Sequence, residues 1–226
     1  METIRLNKAQ FNDALQIASQ MAGVSKSLPV LDNVHLDISH GKLRITSSDT
    51  EVTITKDYKL AVDETDKLDI LFNPKSLCSL LPIIDDEEIV LENKGSDILV
   101  KYANGDMSLP ALDVADFPVL DLDEASIKTI TVENCAAFAE TIKKASLFIA
   151  NDIIRPVMNA VVVHLTTTGI EIYSSDASIL YFSKFAEINN EDEKIILLPA
   201  KAIKPIYSML KSSNNSIFKI AYNDTH

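Results

Sequence analysis

The chain has 226 residues, with 21 Lys and Arg against 33 Asp and Glu (net charge −12), and 46% of it is hydrophobic. Five Gly and eight Pro in so apolar a chain exclude disorder, the longest apolar runs are strand-sized, and METIRLNKAQF has no export-signal core. Two isolated cysteines fit a reducing cytosol, and the acidic total argues against general nucleic-acid affinity, which needs clustered Lys and Arg.

In chain order, TIRL reads as a short strand and Asn7 as the N-cap of a helix. On that helix Phe11, Ala14, Leu15, Ala18 and Met21 share one apolar face. Extended runs VLDNVHLDI, KLRITSS and EVTITKDY follow, with His40-Gly41 as a tight hairpin between the first two. The cycle restarts with KLDILF, a helix over PKSLCSLLPII, and strands EEIVLEN, DILVKYA and DMSLPA. A second series follows: ITVE, a helix over 134–150, VMNAVVVHL, IEIYSS, ILYFSKF, IILL, a helix over 200–212 and the strand SIFKIAYND.

The two series are one sequence used twice. Shifted by 127 positions without gaps, Asn7 falls on Asn134, Phe11 on Phe138, Ala18 on Ala145 and Ser19 on Ser146. Pro29-Val30-Leu31 falls on Pro156-Val157-Met158, and Ser47-Ser48-Asp49 on Ser174-Ser175-Asp176. The repeat predicts two domains, 1–126 and 127–226. A second copy as long as the first would run past His226, so that domain is expected to lack its last strands. The repeating unit, strand–helix–strand–strand–strand used twice per domain, is antiparallel sheet with sparse helices: the α+β class.

Paired Asp49 and Asp176, one per copy, admit a hydrolase with a shared-proton dyad. Their contexts, SSDTE and SSDAS, lack the Gly such a site needs and read first as turns. His35, His40, His164 and His226 have no Cys or His at metal-ligand spacing, and no Gly-rich phosphate loop is present. Cys135 at a helix start reads as a small buried residue. No cofactor, metal or catalytic group is expected. Lysines instead mark the helices, at Lys8, Lys75, Lys143, Lys144, Lys201, Lys204 and Lys211, while acidic runs such as Asp85–Glu88 lie in loops. Residues 127–226 are balanced, with 10 basic and 10 acidic groups, against 11 and 23 in 1–126. Either the helices form a mildly basic face, or lysines simply solvate them. An acidic interaction module unrelated to DNA is the remaining alternative.

LPVLDNVHLDISHGKLRITSSDTEVTI, ALDVADFPVLD, and IIRPVMNAVVVHL with SSDASIL resemble the bacterial replicative sliding clamp, the beta subunit of DNA polymerase III. The resemblance runs through the whole chain, and Leu28–Asn33 and Ala115–Pro118 are its most specific parts. It implies the first and most of the second of three similar domains, each with antiparallel sheets outside and helices on a DNA-facing side. Two full-length subunits would close into a homodimeric ring on duplex DNA, without sequence preference, and tether the polymerase. This chain alone is not expected to close a ring. The implied protein is cytoplasmic, catalyses nothing and touches no membrane.

Residue by residue, the family's DNA-facing positions fall near Lys26, Lys75, Arg155 and Lys201, and Lys143, Lys144 and Lys204 complete the expected face. Lys26 stands one place from the family's basic residue. The pocket that takes short motifs from polymerase and clamp loader would use Met158, Ser175, Ala177, Ser178, Ile179 and Leu180. Here the family's Gly-His-Arg-Leu is Ala177-Ser178-Ile179-Leu180, which changes both polar members. Met107 and Leu109 match the edge that meets a partner subunit.

Overall fold

The computed structural model describes residues 3–24, 28–59, 67–118, 127–185, 193–212 and 217–222, and it divides into two compact units, Met1–Leu120 and Asp121–His226. The expected boundary after residue 126 falls beside 119–126, outside the described residues.

In the first unit, β1 (Thr3–Asn7) leads into α1 (Lys8–Ala18), then β2 (Val34–Ser39), β3 (Lys42–Ser48) and β4 (Thr53–Lys59). The order repeats as β5 (Leu68–Phe72), α2 (Lys75–Leu80), β6 (Glu88–Asn93), β7 (Asp97–Tyr102) and β8 (Gly105–Pro110). These strands form two antiparallel sheets, β1-β6-β7-β8 and β4-β3-β2-β5. One core joins them. Ile4 and Leu6 from one sheet and Leu36, Ile38 and Ile45 from the other close on Phe11, Leu15 and Leu77 of the helices. Strand alternation supplies the inward side chains of each sheet, and the helices supply a stripe.

The second unit runs β9 (Lys128–Glu133), α3 (Cys135–Ala145), β10 (Ala160–Thr166), β11 (Gly169–Ser175), β12 (Leu180–Lys184), β13 (Lys194–Pro199), α4 (Ala200–Ser212) and β14 (Ile217–Tyr222). Its sheet order β12-β11-β10-β13 repeats β4-β3-β2-β5, and β14-β9 repeats β6-β1. The α+β reading is therefore the observed architecture, with the repeating unit used twice in the first unit and, among the described residues, once in full and once as strand–helix–strand in the second. No helix among the described residues is long and apolar enough to cross a membrane.

The 127-residue spacing survives in individual atoms. Asn7 accepts from the Gln10 amide at 3.0 Å and Asn134 from that of Ala137 at 3.1 Å, capping α1 and α3. The hydroxyl of buried Ser47 donates to the Ala18 carbonyl, and that of Ser174 to the Ala145 carbonyl. Each tethers the last turn of a helix to a strand.

Several elements are shorter than the sequence pattern predicts, among them the helix over PKSLCSLLPII, which ends at Leu80 and continues as a 3-10 turn to Ile83. VLDNVHLDI and VMNAVVVHL each begin with a 3-10 turn, Pro29–Asp32 and Pro156–Asn159, before the strand starts. Proline at the first position fixes φ for a helical turn and cannot donate to a ladder. The helix over 134–150 ends at Ala145 and continues as a 3-10 turn to Phe148. His40 (φ 51°) and Gly41 (φ 68°) form the expected hairpin.

Candidate nucleic-acid interface

In the second unit, α3 and α4 pack side by side, and the expected lysines lie along them. Lys143 and Lys144 are exposed in the last turn of α3, where the helix dipole favours positive charge. Lys204 is exposed on α4, Lys201 is partly buried one turn earlier, and Lys211 is exposed in the last turn. Buried Ala202 and Ile203 turn the other side of α4 to the core.

A polar seam crosses the helix pair, centred on Tyr207. The Tyr207 hydroxyl donates to Glu140 Oε1 at 2.9 Å and accepts from Lys143 Nζ at 3.4 Å. Lys143 Nζ stands 4.5 Å from the ring centroid and Lys211 Nζ 5.8 Å, while Lys211 also reaches Glu140 Oε1 at 3.3 Å. The hydrogen bond from Tyr207, followed by that from Lys211, holds the Glu140 carboxyl below its ordinary pKa. Glu140 in turn raises that of Lys211. The sequence pattern identified the lysines and missed Tyr207 and Glu140. The repeat held a signal for the carboxylate alone, since Glu140 stands where the first copy has Asp13, and none for Tyr207.

Arg155 is exposed but committed. Its guanidinium pairs with Asp152 at 2.8 and 2.9 Å, and Asp152 also accepts from the amides of Ile154 and Arg155. In the first unit, Lys75 is exposed at the start of α2 and lines a cleft of about 550 Å³ with Ser19, Gly23, Asp32, Asn73 and Cys78. Lys8 is turned away from the outer helix face, its ammonium on the Ile84 carbonyl at 2.8 Å. Lys26 lies outside the described residues.

The residues expected in the peptide pocket gather mainly in one turn. Ser175 and Leu180 face each other across β11 and β12, and Asp176 Oδ1 accepts from the Ser178 and Ile179 amides at 2.9 and 2.8 Å. Ile179 and Leu180 are 53% and 68% exposed. Ala177 sits at φ 75°, a left-handed conformation that costs a residue with a Cβ and suits glycine. Met158 is partly buried in the 156–159 turn, its carbonyl accepting from Ala150 N. Met107 and Leu109 point into their own unit's core from β8, the edge of its sheet, so that edge offers backbone rather than these side chains.

Asp49 and Asp176 do the same local work. Asp49 Oδ1 accepts from Glu51 N and Val52 N at 3.1 and 2.8 Å. The amide donors hold Asp176 below the ordinary carboxylate range. A shared-proton dyad requires the opposite, a carboxyl raised by a neighbour. Among the described residues, no three His, Cys, Asp or Glu side chains converge as a metal site.

Two compact α+β units with one repeated connectivity define a tandem-domain protein with a lysine-bearing helix pair. Residues 2–121 match the family model for the DNA polymerase III beta subunit, N-terminal domain, and the chain belongs to that family. Among similar proteins, the beta sliding clamp of Helicobacter pylori strain J99 is 19% identical over 99% of this chain and 61% of its own length. That of Pseudomonas putida is 25% identical over 87% and 53%. The DNA polymerase III beta subunit of Thermotoga maritima superposes with a TM-score of 0.88 at 18% identity, covering 99% of this chain and 60% of its own. A Pseudomonas aeruginosa sliding clamp solved with griselimycin bound gives 0.86 at 19%, with the same coverage. The fold is thus that of the sliding clamps, and the chain spans between half and two thirds of the relatives' length.

Proposed function

We propose that this chain belongs to a replication processivity factor, a ring-forming sliding clamp that encircles duplex DNA and tethers the replicative polymerase, with no reaction of its own. The carrying observation is the lysine seam on α3 and α4 in a chain whose net charge is −12. A ring need not grip what it surrounds. A weakly basic lining suffices, sequence-independent phosphate contact permits sliding, and acidic surfaces elsewhere repel DNA.

In this reading residues 1–126 and 127–226 are two clamp domains. Lys143, Lys144, Lys201 and Lys204 face the duplex, joined by Lys75 and, less strongly, by Arg155, whose charge Asp152 offsets. The exposed apolar pair Ile179 and Leu180, with Met158, Ser175, Ala177 and Ser178, would anchor peptide motifs of polymerase and loader. The free edge of β8 would meet the partner subunit, and the protein would work in the cytoplasm.

Fluorescence anisotropy of a labelled duplex tests the DNA face. Binding by the chain should be weak, steeply salt-dependent and indifferent to sequence. A quadruple Lys143, Lys144, Lys201 and Lys204→Glu variant should abolish it, and undiminished binding would remove the assignment. For the tether, full-length subunits loaded on nicked circular DNA should stay on the circle and leave when it is linearised. Retention after cutting would mean ordinary grip.

A further inference from the structure

The helix seams of the two units diverge where the packing around them is repeated. Strand pairing fixes the correspondence: Val34 opposes Phe72 on β5 as Val161 opposes Leu198 on β13. Carried forward, that register sets Lys75 of α2 at the place of Lys201, and buried Leu81, in the 3-10 turn after α2, at that of Tyr207. In the first unit Asp13, the counterpart of Glu140, takes its hydrogen bond from Tyr58 on β4. Gln16, the counterpart of Lys143, donates to the Cys78 carbonyl at 2.8 Å. The Asp13–Tyr58 bond runs from α1 to β4 rather than between two helices, and the Tyr58 ring carries one ammonium group, Lys56 Nζ at 5.3 Å from its centroid. The second unit puts two ammonium groups on one aromatic ring.

Gripping a phosphate costs a lysine its rotamer freedom. A ring whose electron-rich face already holds the ammonium groups removes part of that cost beforehand. We propose that Tyr207 organises Lys143 and Lys211 into a phosphodiester-binding pair across the α3–α4 seam, with Glu140 as the carboxylate that attenuates it. The inference rests on the duplex-binding reading above and names the side chains that make the contact. Glu140 competes with phosphate for Lys211, which keeps the grip weak enough to slide. Tyr207 is a positioning residue; the contact itself is made by the lysines.

The test is anisotropy of a short labelled duplex against the 226-residue chain over a salt series. Lys143→Ala and Lys211→Ala should each weaken binding and reduce the salt slope by about one. Tyr207→Leu should weaken binding about two- to fivefold with the slope retained, and Tyr207→Phe, which keeps the ring, should recover most of the loss. Glu140→Gln should tighten binding and steepen the slope, a sign that a purely structural link between helices cannot produce. If the wild-type chain binds and Glu140→Gln does not tighten that binding, or Tyr207→Phe does not keep most of it, this inference falls and the DNA-face reading stands. If Tyr207→Leu does not fold, these two variants still decide the matter. If the wild-type chain binds no duplex at any salt, both fall.

Discussion

The first and second units are two outcomes of one repeated scaffold, and they differ mostly where side chains leave the core. Caps, helix tethers and turn aspartates recur at 127 residues, because each satisfies backbone groups the fold itself creates. The outer sheet faces do not recur. Across β4-β3-β2-β5 one row is Thr55, Thr46, His35 and Leu71, with Leu71 covered by Leu31 and Phe117. The corresponding row on β12-β11-β10-β13 is Phe182, Tyr173, Val162 and Leu197, and Phe182 and Leu197 are about half exposed. A duplicated fold therefore holds its internal hydrogen bonds in common while its surfaces diverge.

The largest effects should come from breaking each core separately. Phe138→Ala, which removes a ring packed on Phe185 and Phe218, should cost the second unit about 3–5 kcal/mol. Phe11→Ala should do the same to the first. Hydrogen exchange should show protection lost in the mutated unit alone; equal loss in both would mean that the units unfold as one.

Next come the helix tethers. Ser47→Ala and Ser174→Ala each strand a buried carbonyl and should cost about 1–3 kcal/mol in urea titrations. Similar values for the two would sharpen the equivalence of the units, and a large disparity would break it.

Ala177→Gly should act in the other direction, because relief of the left-handed strain outweighs the added freedom of the unfolded chain. A gain of about 0.5–1 kcal/mol in urea unfolding is expected.

The smallest effect concerns pH. Asp176 has a depressed folded pKa, so its stabilisation is present above the ordinary value of 3.8 and is lost as pH falls through the folded one. Asp176→Asn should flatten the acid limb of the second unit's stability curve, as followed by thermal melting between about pH 5 and pH 2.

Much of this was legible in the chain. Period-2 and period-3.6 patterns gave nearly every strand and helix, and the 127-residue offset showed that the two series follow one order of elements. The 3-10 turns at Pro29 and Pro156 were hidden because an apolar run looks the same whether or not its first residues join a ladder. The lysines of the candidate interface were visible by type, but their standing was not. Lys8 and Arg155 read as free cations until the Ile84 carbonyl and Asp152 took them.

The sequence by itself determined the class, the repeat and the family, because hydrophobic period, caps and turn residues are local and act within a few positions of one another. Only the tertiary structure decided which charges pair and which remain available. Tyr207 and Glu140 lie 67 residues apart, and nothing in their neighbourhoods announces a hydrogen bond between them. That contact exists because α3 and α4 bury their apolar faces in one core and so bring their polar edges together.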